Sequence, residues 1–245
     1  MKILLIAGHG NGDPGACACG LKEADLTREV AAALLPKLKA YADVDLFDTS
    51  KNMYSYLKNG GVCNFANYDY VFEIHFNAAA ADTAGNGKTT GAEILIHTTE
   101  SGASVEEAIL SNIAALGFKN RGVKRRSDLR NMNVCKKNYG VSYALIEVCF
   151  IDDRDDVNLY QQKKAEVIDA IVNGIASGFG LAKTETAAAG FKDAKGHYAE
   201  AAINDLFKMG IVNGDGNGNF RPDDNIKRGD VAIMVRNAIR YITGK

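Results

Sequence analysis

The sequence predicts an α/β fold, in which a twisted mixed sheet with helices on both faces is followed by a small, mainly α-helical C-terminal domain. Two observations predict it. Short apolar runs alternate with segments of helical periodicity over most of the chain, and such alternation is typical of a sheet covered by helices. The composition then changes near residue 183, where a stretch of small and polar residues begins.

Five apolar runs and three periodic segments make up the first predicted domain. Runs rich in β-branched and aromatic side chains predict strands over residues 2–7, 44–47, 70–76, 92–97 and 141–151. Apolar residues spaced three or four positions apart predict helices over 24–41, 105–116 and 157–179. Glycine and threonine at 84–91 predict a turn, and the polar, basic stretch at 119–133 predicts a loop.

A change of composition divides the chain into two predicted domains. The stretch KTETAAA at 183–189 is small and polar, which is typical of a linker. It separates a first domain over 1–182 from a second domain over 190–245. In the second domain, helical patterns at 199–209 and 228–242 flank a loop rich in Gly, Asn and Asp.

Charge and hydropathy exclude two classes of function. With 29 basic and 30 acidic residues the net charge is −1, so no nucleic-acid partner is expected. No stretch reaches the ~20 apolar residues that span a bilayer, so no membrane insertion is expected. The apolar run at 2–7 is too short for a secretory leader, and we therefore expect synthesis in the cytoplasm without a signal peptide.

Two histidines lie where an α/β sheet places its sites. Glu73, His75 and Asn77 share one face of a predicted strand, because side chains alternate along a strand. His9 follows the first strand in a glycine-rich turn that would expose it. Ligands bind at the carboxyl ends of strands in such sheets, so both histidines are candidates. The alternative for either one is a hydrogen-bonded, partly exposed histidine without a ligand.

Glu147 is the only carboxylate in the most apolar predicted strand, YALIEVCFI. Burying an unpaired carboxylate costs several kcal/mol, so a cation or a proton is expected beside it. The alternative is an ion pair with one of the arginines of the basic stretch, which are Arg125, Arg126 and Arg130.

Five stretches in order resemble the zinc-dependent N-acetylmuramoyl-L-alanine amidases of the amidase-3 family. They are GHGNGDPGACACGLKEADL, IHFNA, TGAEILIH, NRGVK and LIEVCFIDDRDD, and together they extend over nearly all of residues 1–180. The resemblance implies one zinc ion held by His9, Glu23 and His75, with Glu147 as the catalytic glutamate. Asn77 shares the strand face of His75 and is therefore a candidate for supporting the ligands or orienting the substrate; capping of the strand end is the alternative.

The implied donor set agrees with hydrolytic chemistry. Two imidazoles and one carboxylate leave a fourth tetrahedral position open for water, as in catalytic rather than structural zinc sites. The implied substrate is peptidoglycan, and the implied bond is the amide between N-acetylmuramic acid and the L-alanine of the stem peptide. Glu147 would move the proton from water to the leaving amine.

The sequence departs from the family at three positions. Ala7 stands where an acidic residue usually precedes GHG, so a carboxylate behind His9 is expected to be missing. Cys149 replaces a usual glycine, and Asp153 replaces a usual asparagine. None of the five cysteines is expected to bind metal, since Cys17 and Cys19 are one residue apart and no second pair exists.

Three functional hypotheses follow from these residues. The first is a zinc amidase that is a phage or prophage endolysin, which acts on the cell wall after release by another factor. The second is a zinc peptidase that cleaves within stem peptides. The third is a catalytically dead wall-binding protein.

The second domain resembles a single S-layer homology module over residues 191–242. The stretch IKRGD, with Arg228 and Asp230, stands where that family holds anionic secondary cell-wall polysaccharide. The alternatives for the loop before it, from Asn213 to Asp224, are a calcium site or a Gly/Asn turn. Homo-oligomerisation through this module is a further hypothesis.

Overall fold

The computed structural model describes residues 1–183, 190–215 and 218–243. The chain forms two compact units, Met1–Ala182 and Lys183–Lys245, and each is described by itself. The predicted linker at 183–189 lies, apart from Lys183, outside the described residues. No helix in the described ranges is long and apolar enough to cross a membrane.

A six-stranded mixed sheet forms the centre of the first unit. Its strands are β1 (Lys2–Ala7), β4 (Asp43–Leu46), β5 (Tyr70–Asn77), β6 (Ala92–His97), β7 (Asn120–Arg126) and β8 (Ser142–Phe150). They are arranged in the order β4-β1-β5-β8-β6-β7. All neighbours are parallel except β6 and β8, which are antiparallel. A separate hairpin is formed by β2 (Cys17–Ala18) and β3 (Leu21–Lys22).

Helices cover both faces of the sheet, which confirms the predicted fold class. One face carries α1 (Glu23–Leu38), α3 (Ser104–Ala114), α5 (Arg154–Gln162) and α6 (Lys164–Gly178). The other carries α2 (Met53–Lys58), a 3-10 helix (Phe65–Asn67) and α4 (Arg130–Tyr139). Alternation along β1 explains the two cores: Ile3 and Leu5 pack into the first core, and Leu4 and Ile6 into the second.

Two of the predicted elements were wrong. The stretch at 119–133, predicted as a loop, contains β7 and the start of α4. Because β7 is an edge strand paired only with β6, its basic side chains can stay in solvent and it shows no apolar alternation. The predicted helix over 157–179 is two helices, with Lys163 between them.

The second unit is small and mainly helical in its described part. It contains α7 (Glu200–Lys208) and α8 (Arg228–Thr243). Phe191, Ala194 and Ile203 form its buried core. The carboxylate of Asp193 accepts the backbone N–H groups of Phe220 and Arg221 at 2.8 and 2.7 Å, which fastens the segment before α8 to the start of the unit.

Candidate metal centre

The candidate site lies at the carboxyl ends of three neighbouring parallel strands. His9 follows β1, His75 lies near the end of β5, and Glu147 lies in β8 directly opposite His75 in the strand register. Glu73, His75 and Asn77 point to the face of the sheet that carries α2 and α4, because their neighbours Phe72, Ile74 and Phe76 belong to the opposite core. The position agrees with the general rule for α/β sheets.

Glycine allows the chain to pass close to the histidines. A Cβ atom at Gly8 would lie 2.4 Å from the His75 ring, and one at Gly15 would lie 2.7 Å from Glu23 Oε2. His9 itself has a φ of 60°, in the left-handed region that few residues adopt. The GHG turn therefore brings its histidine against the end of β5.

Three donor groups meet at this point. The Nε2 atom of His9 lies 3.1 Å from Glu23 Oε2, and the Nδ1 atom of His75 lies 2.9 Å from Glu23 Oε1. The ligand atoms of the three side chains all lie within 4.8 Å of one another. Glu23 is fixed at the start of α1, where its oxygens accept the backbone N–H groups of Ala16 and Phe76 at 2.9 and 3.0 Å.

Charge complementarity holds the cluster together. Burial alone would raise the pKa of the Glu23 carboxyl, but hydrogen bonds with His75 and His9 hold that pKa well below its usual range. Burial alone would lower the pKa of His75, but its contacts with Glu23 and Glu73 raise it well above its usual value. A buried carboxylate between two imidazoles is a donor set that suits zinc.

Glu147 differs from Glu23 in having one carboxylate oxygen without a hydrogen-bond partner among the described residues. Its Oε2 atom is buried and accepts no hydrogen bond within the part of the chain that the structure describes. Burial raises the pKa of this carboxyl to about 7, and the carboxylates of Glu23, Glu93 and Glu73 add to the effect. An unsatisfied buried oxygen beside a His–Glu–His set fits a site that binds a cation and handles a proton.

The predicted alternative for Glu147, an ion pair with an arginine, is not formed. The guanidinium of Arg125 donates to the carbonyl oxygen of Glu100 at 2.6 Å. Arg126 pairs with Asp128 at 2.5 Å, and Arg130 lies over the ring of Tyr54.

Comparison with known proteins identifies the families that the two parts of the chain match. Residues 3–177 match the N-acetylmuramoyl-L-alanine amidase family, and residues 190–232 match the S-layer homology domain. The chain belongs to the N-acetylmuramoyl-L-alanine amidase family. Both resemblances predicted from the sequence motifs are thereby confirmed.

The similarity to individual relatives extends over different shares of their lengths. The N-acetylmuramoyl-L-alanine amidase CwlM of Bacillus licheniformis is 31% identical over 200 residues, which cover 76% of this chain and 72% of that protein. The probable autolysin PH of Staphylococcus aureus is 29% identical over 195 residues, but this chain spans only 38% of its length. The catalytic domain of the CD27L endolysin targeting Clostridia difficile superposes with a TM-score of 0.55 at 25% identity, over 72% of this chain and 97% of that one.

One predicted departure from the amidase family is corrected by the structure. Ala7 was expected to leave His9 without a carboxylate behind it. Instead, Asp13 Oδ2 lies 2.8 Å from His9 Nδ1 and accepts a hydrogen bond from the Asn52 amide at 3.0 Å. The sequence reasoning missed both residues, because Asp13 follows the histidine within the turn and Asn52 lies 39 residues further along.

Asn77 ends β5 between two polar partners. Its Nδ2 atom donates to Glu93 Oε1 at 3.0 Å, and its Oδ1 atom accepts the backbone N–H of Ala78 at 2.8 Å. Glu93 also pairs with Arg121 at 2.6 Å and with Lys124. Since Glu93 lies opposite Glu147 in the register of β6 and β8, Asn77 connects the end of β5 to a charged cluster beside Glu147.

The cysteines take no part in the clusters that could hold a metal. Among the described residues these clusters are His9, Glu23 and His75, and a second group of Asp82, Asp153 and Asp155. In the second group the carboxylates accept backbone N–H groups: Asp82 from Gly85, Asp153 from Thr90, and Asp155 from Asn86 and Gly87. Asp153 also caps α5. These aspartates therefore fasten the 82–91 loop.

A cleft of about 770 Å³ opens beside the candidate metal centre. One wall is formed by residues around α2 and α4, two helices that the sequence did not predict. The residues that line the cleft are His9, Asp13, Asn52, Tyr54, Glu73, His75, Asp128, Leu129, Arg130, Asn131, Asn133, Val134 and Leu145. The helices α2 and α4 have only 6 and 10 residues. An amphipathic pattern is hard to recognise over so few residues, and for this reason neither helix was predicted from the sequence.

In the second unit, Arg228 begins α8 and is exposed. Asp230 lines a cavity of about 630 Å³ together with Arg221 and Asp224. The predicted calcium loop includes residues 216 and 217, which lie outside the described residues. Asp224, its last predicted ligand, pairs with Arg221 at 2.5 Å.

Proposed function

We propose that the first unit is a zinc-dependent amidase that cleaves peptidoglycan between N-acetylmuramic acid and the L-alanine of the stem peptide. The observation that carries the proposal is the convergence of His9, Glu23 and His75 beside Glu147, whose buried Oε2 atom has no hydrogen-bond partner among the described residues. Membership of the amidase family supports the same reaction.

The residues of the site have two separate roles in the proposed reaction, which are to hold the metal and to move a proton. His9, Glu23 and His75 would hold zinc and leave one coordination position open. Zinc in such a site lowers the pKa of a water molecule toward ~7 and polarises the carbonyl of the substrate. Glu147 accepts the proton of the attacking water and passes it to the amine of L-alanine as the C–N bond breaks, so the enzyme gains no net proton.

The nature of the new chain ends tests the reaction. Purified cell wall incubated with the protein should release new L-alanine amino termini without new reducing sugar ends. New amino termini on other residues would indicate the alternative, a zinc peptidase. No release at all would indicate a catalytically dead wall-binding protein.

Zinc dependence has a test of its own. Treatment with a chelator should abolish release of amino termini, and added Zn²⁺ should restore it, because the open position for water exists only with the metal bound. Full activity in a preparation shown by elemental analysis to hold no metal contradicts the zinc mechanism.

We further propose that the second unit holds anionic secondary cell-wall polysaccharide, with Arg228 and Asp230 in its binding surface. Its match to the S-layer homology domain supports this, as does the exposed position of Arg228, for which the described part of the chain offers no ion pair. Arg228→Gln should weaken sedimentation with purified wall, whereas Arg236→Gln, an exposed arginine of the same helix, should not. Equal binding by both variants contradicts the role of Arg228.

Homo-oligomerisation through the second unit is part of the proposal. Apolar side chains such as Val235 and Tyr241 are more than half exposed along α8, and Tyr241 is 58% exposed. Such a face is covered in many proteins by a second copy. Light scattering should show a mass that rises above that of one chain with concentration; a constant single-chain mass contradicts it.

We also propose that the enzyme works as an endolysin, which reaches the wall only after the membrane is opened. The likeness to the CD27L catalytic domain supports this assignment. When the protein is produced inside bacteria, cells should stay intact until the membrane is permeabilised and then lyse. Lysis without permeabilisation points instead to an exported autolysin.

A further inference from the structure

Each imidazole of the candidate metal centre contacts a second carboxylate with its other nitrogen. His9 faces Glu23 with Nε2 and Asp13 with Nδ1, the latter at 2.8 Å. His75 faces Glu23 with Nδ1 and Glu73 with Nε2, the latter at 3.4 Å. The two histidines therefore have the same arrangement with their nitrogens exchanged.

Each of these outer carboxylates is itself held by the side-chain amide of an asparagine. Asn52 donates to Asp13 at 3.0 Å, and Asn131 donates to Glu73 at 2.8 Å. Glu73 also accepts the hydroxyl of Tyr143 at 2.5 Å. The two carboxylates are thus oriented before any ligand binds.

The burial of Glu73 calls for an explanation beyond the stability of the fold. Its side chain is 4% exposed on a strand whose other fully buried residues are aliphatic or aromatic, and a buried charge is costly even when it is hydrogen-bonded. Tyr143 and Asn131 satisfy this carboxylate, yet an apolar residue would fill the same space at lower cost. Contact with His75 gives the negative charge a role, because a carboxylate accepts from an imidazole N–H more strongly than an uncharged amide oxygen does.

We propose that Glu73 and Asp13 are positioning residues, which set the tautomer and the ring orientation of His75 and His9. Without a metal the inner nitrogen donates to Glu23, and a metal can bind there only when that hydrogen is lost. An accepting carboxylate then keeps the remaining hydrogen on the outer nitrogen, so the lone pair of the inner nitrogen is free for the metal. For His75 the inner nitrogen is Nδ1, and for His9 it is Nε2. The inference rests on the proposed zinc site and adds the residues that prepare it.

Zinc affinity is the measurement that tests the proposal. Glu73→Gln keeps the shape of the side chain but removes the charge, and it should weaken zinc binding 10–100-fold, the range seen when such outer partners are lost. Asp13→Asn should act in the same direction, and because Asp13 lies in an exposed turn this variant also covers the case in which Glu73→Gln fails to fold. Dissociation constants are obtained by competition with a chelator of known affinity.

A matched control is available in the same unit. Glu106 is 7% exposed and accepts the hydroxyl of Tyr70 at 2.7 Å, so it repeats the Tyr–Glu contact without a histidine. Glu106→Gln should leave zinc affinity unchanged. In the zinc-loaded protein, the ¹⁵N chemical shifts of the histidine rings, which report the nitrogen that carries the hydrogen, should change at His75 in Glu73→Gln and at His9 in Asp13→Asn, but at neither in the control.

The outcomes separate this inference from the proposed function. Tight zinc binding by the wild type and by both variants overturns the positioning role and leaves the amidase proposal standing. An equal loss of affinity in Glu106→Gln also overturns it, because the effect is then one of general stability. A wild-type chain without affinity for zinc overturns the proposed zinc site and this inference together.

Discussion

Glu23 and Glu147 are two buried carboxyl groups of the same site with opposite properties. The carboxylate of Glu23 lies between two imidazoles and two backbone N–H groups, which keep its pKa low. The Oε2 atom of Glu147 is buried without such a partner in the described part of the chain, and burial raises the pKa of this carboxyl to about 7. A pair of carboxyl groups whose pKa values are pushed apart in this way suits one for binding and the other for proton transfer.

The role of Glu147 predicts a separation of activity from metal binding. Glu147→Gln should lower the rate of amide hydrolysis by about 10²–10⁴-fold, the range for loss of a general acid–base. Zinc content should stay near one ion per chain, because the three proposed ligands are unchanged. Turnover is measured on a soluble muramoyl peptide and zinc by elemental analysis; near-normal turnover removes Glu147 from the mechanism.

Asp156 predicts a pH dependence of stability. Burial raises the pKa of this carboxyl to about 6, above the value of about 4 expected in the unfolded chain. The folded protein therefore binds more protons between these two pH values. The contribution of Asp156 to the free energy of unfolding is largest at low pH and is lost as the pH rises through about 6.

Urea unfolding of the wild type and of Asp156→Asn, each at about pH 4.5 and about pH 7.5, measures the contribution of Asp156 to the pH dependence of stability. In Asp156→Asn, the fall in the free energy of unfolding between these two conditions should be smaller than in the wild type. The comparison isolates Asp156, because other titrating groups are common to both proteins. Identical pH dependence contradicts the raised pKa.

At the scale of elements, close packing of α3 against α6 depends on glycine. A Cβ atom at Gly174 would lie 2.6 Å from the Cα atom of Ile109, so the two helix backbones approach more closely than any larger residue allows. Glycine in a helix normally costs about 1 kcal/mol relative to alanine. Its presence in the middle of α6 is thus explained by contact with α3.

Gly174→Ala is therefore expected to destabilise the protein. Overpacking of a tight contact costs about 1–3 kcal/mol, which exceeds the gain in helix propensity. Asn173→Ala, at the neighbouring exposed position of α6, should be neutral or slightly stabilising. Denaturant unfolding measures both variants, and a more stable Gly174→Ala protein contradicts the close approach.

At the scale of the whole molecule, the two units have separate cores. The first unit buries its helices on both faces of one sheet, and the second packs a small core around Phe191 and Ile203. The proposed catalytic residues all belong to the first unit, whereas the proposed polysaccharide residues all belong to the second. Catalysis and wall attachment are thereby assigned to different parts of the chain.

This division predicts the result of a deletion. A chain that ends at residue 182 should hydrolyse soluble muramoyl peptides at a rate similar to that of the full chain, because its site and core are complete. Its sedimentation with insoluble wall should fall. A parallel loss of activity on the soluble substrate contradicts the independence of the first unit.

Strong local patterns were predicted correctly, and weak ones were missed. Strands β1, β5, β6 and β8 are buried, so their apolar runs are evident in the sequence. The charged edge strand β7 and the helices α2 and α4 show no comparable pattern. Asn52 and Asn131 were missed for another reason, since their partners lie in distant segments; Asn52 and Asp13 are 39 residues apart, and Asn131 and Glu73 are 58 residues apart.

The sequence by itself determined the fold class and the types of side chain at the proposed site, because alternation and motif order are properties of the chain. Only the tertiary structure decided which nitrogen of each histidine faces Glu23, that Asp13 lies behind His9, and that the Oε2 atom of Glu147 has no hydrogen-bond partner among the described residues. These properties depend on burial and on contacts between β1, β5, β8 and α1. Such contacts set pKa values and orientations, and they exist only once the chain has folded.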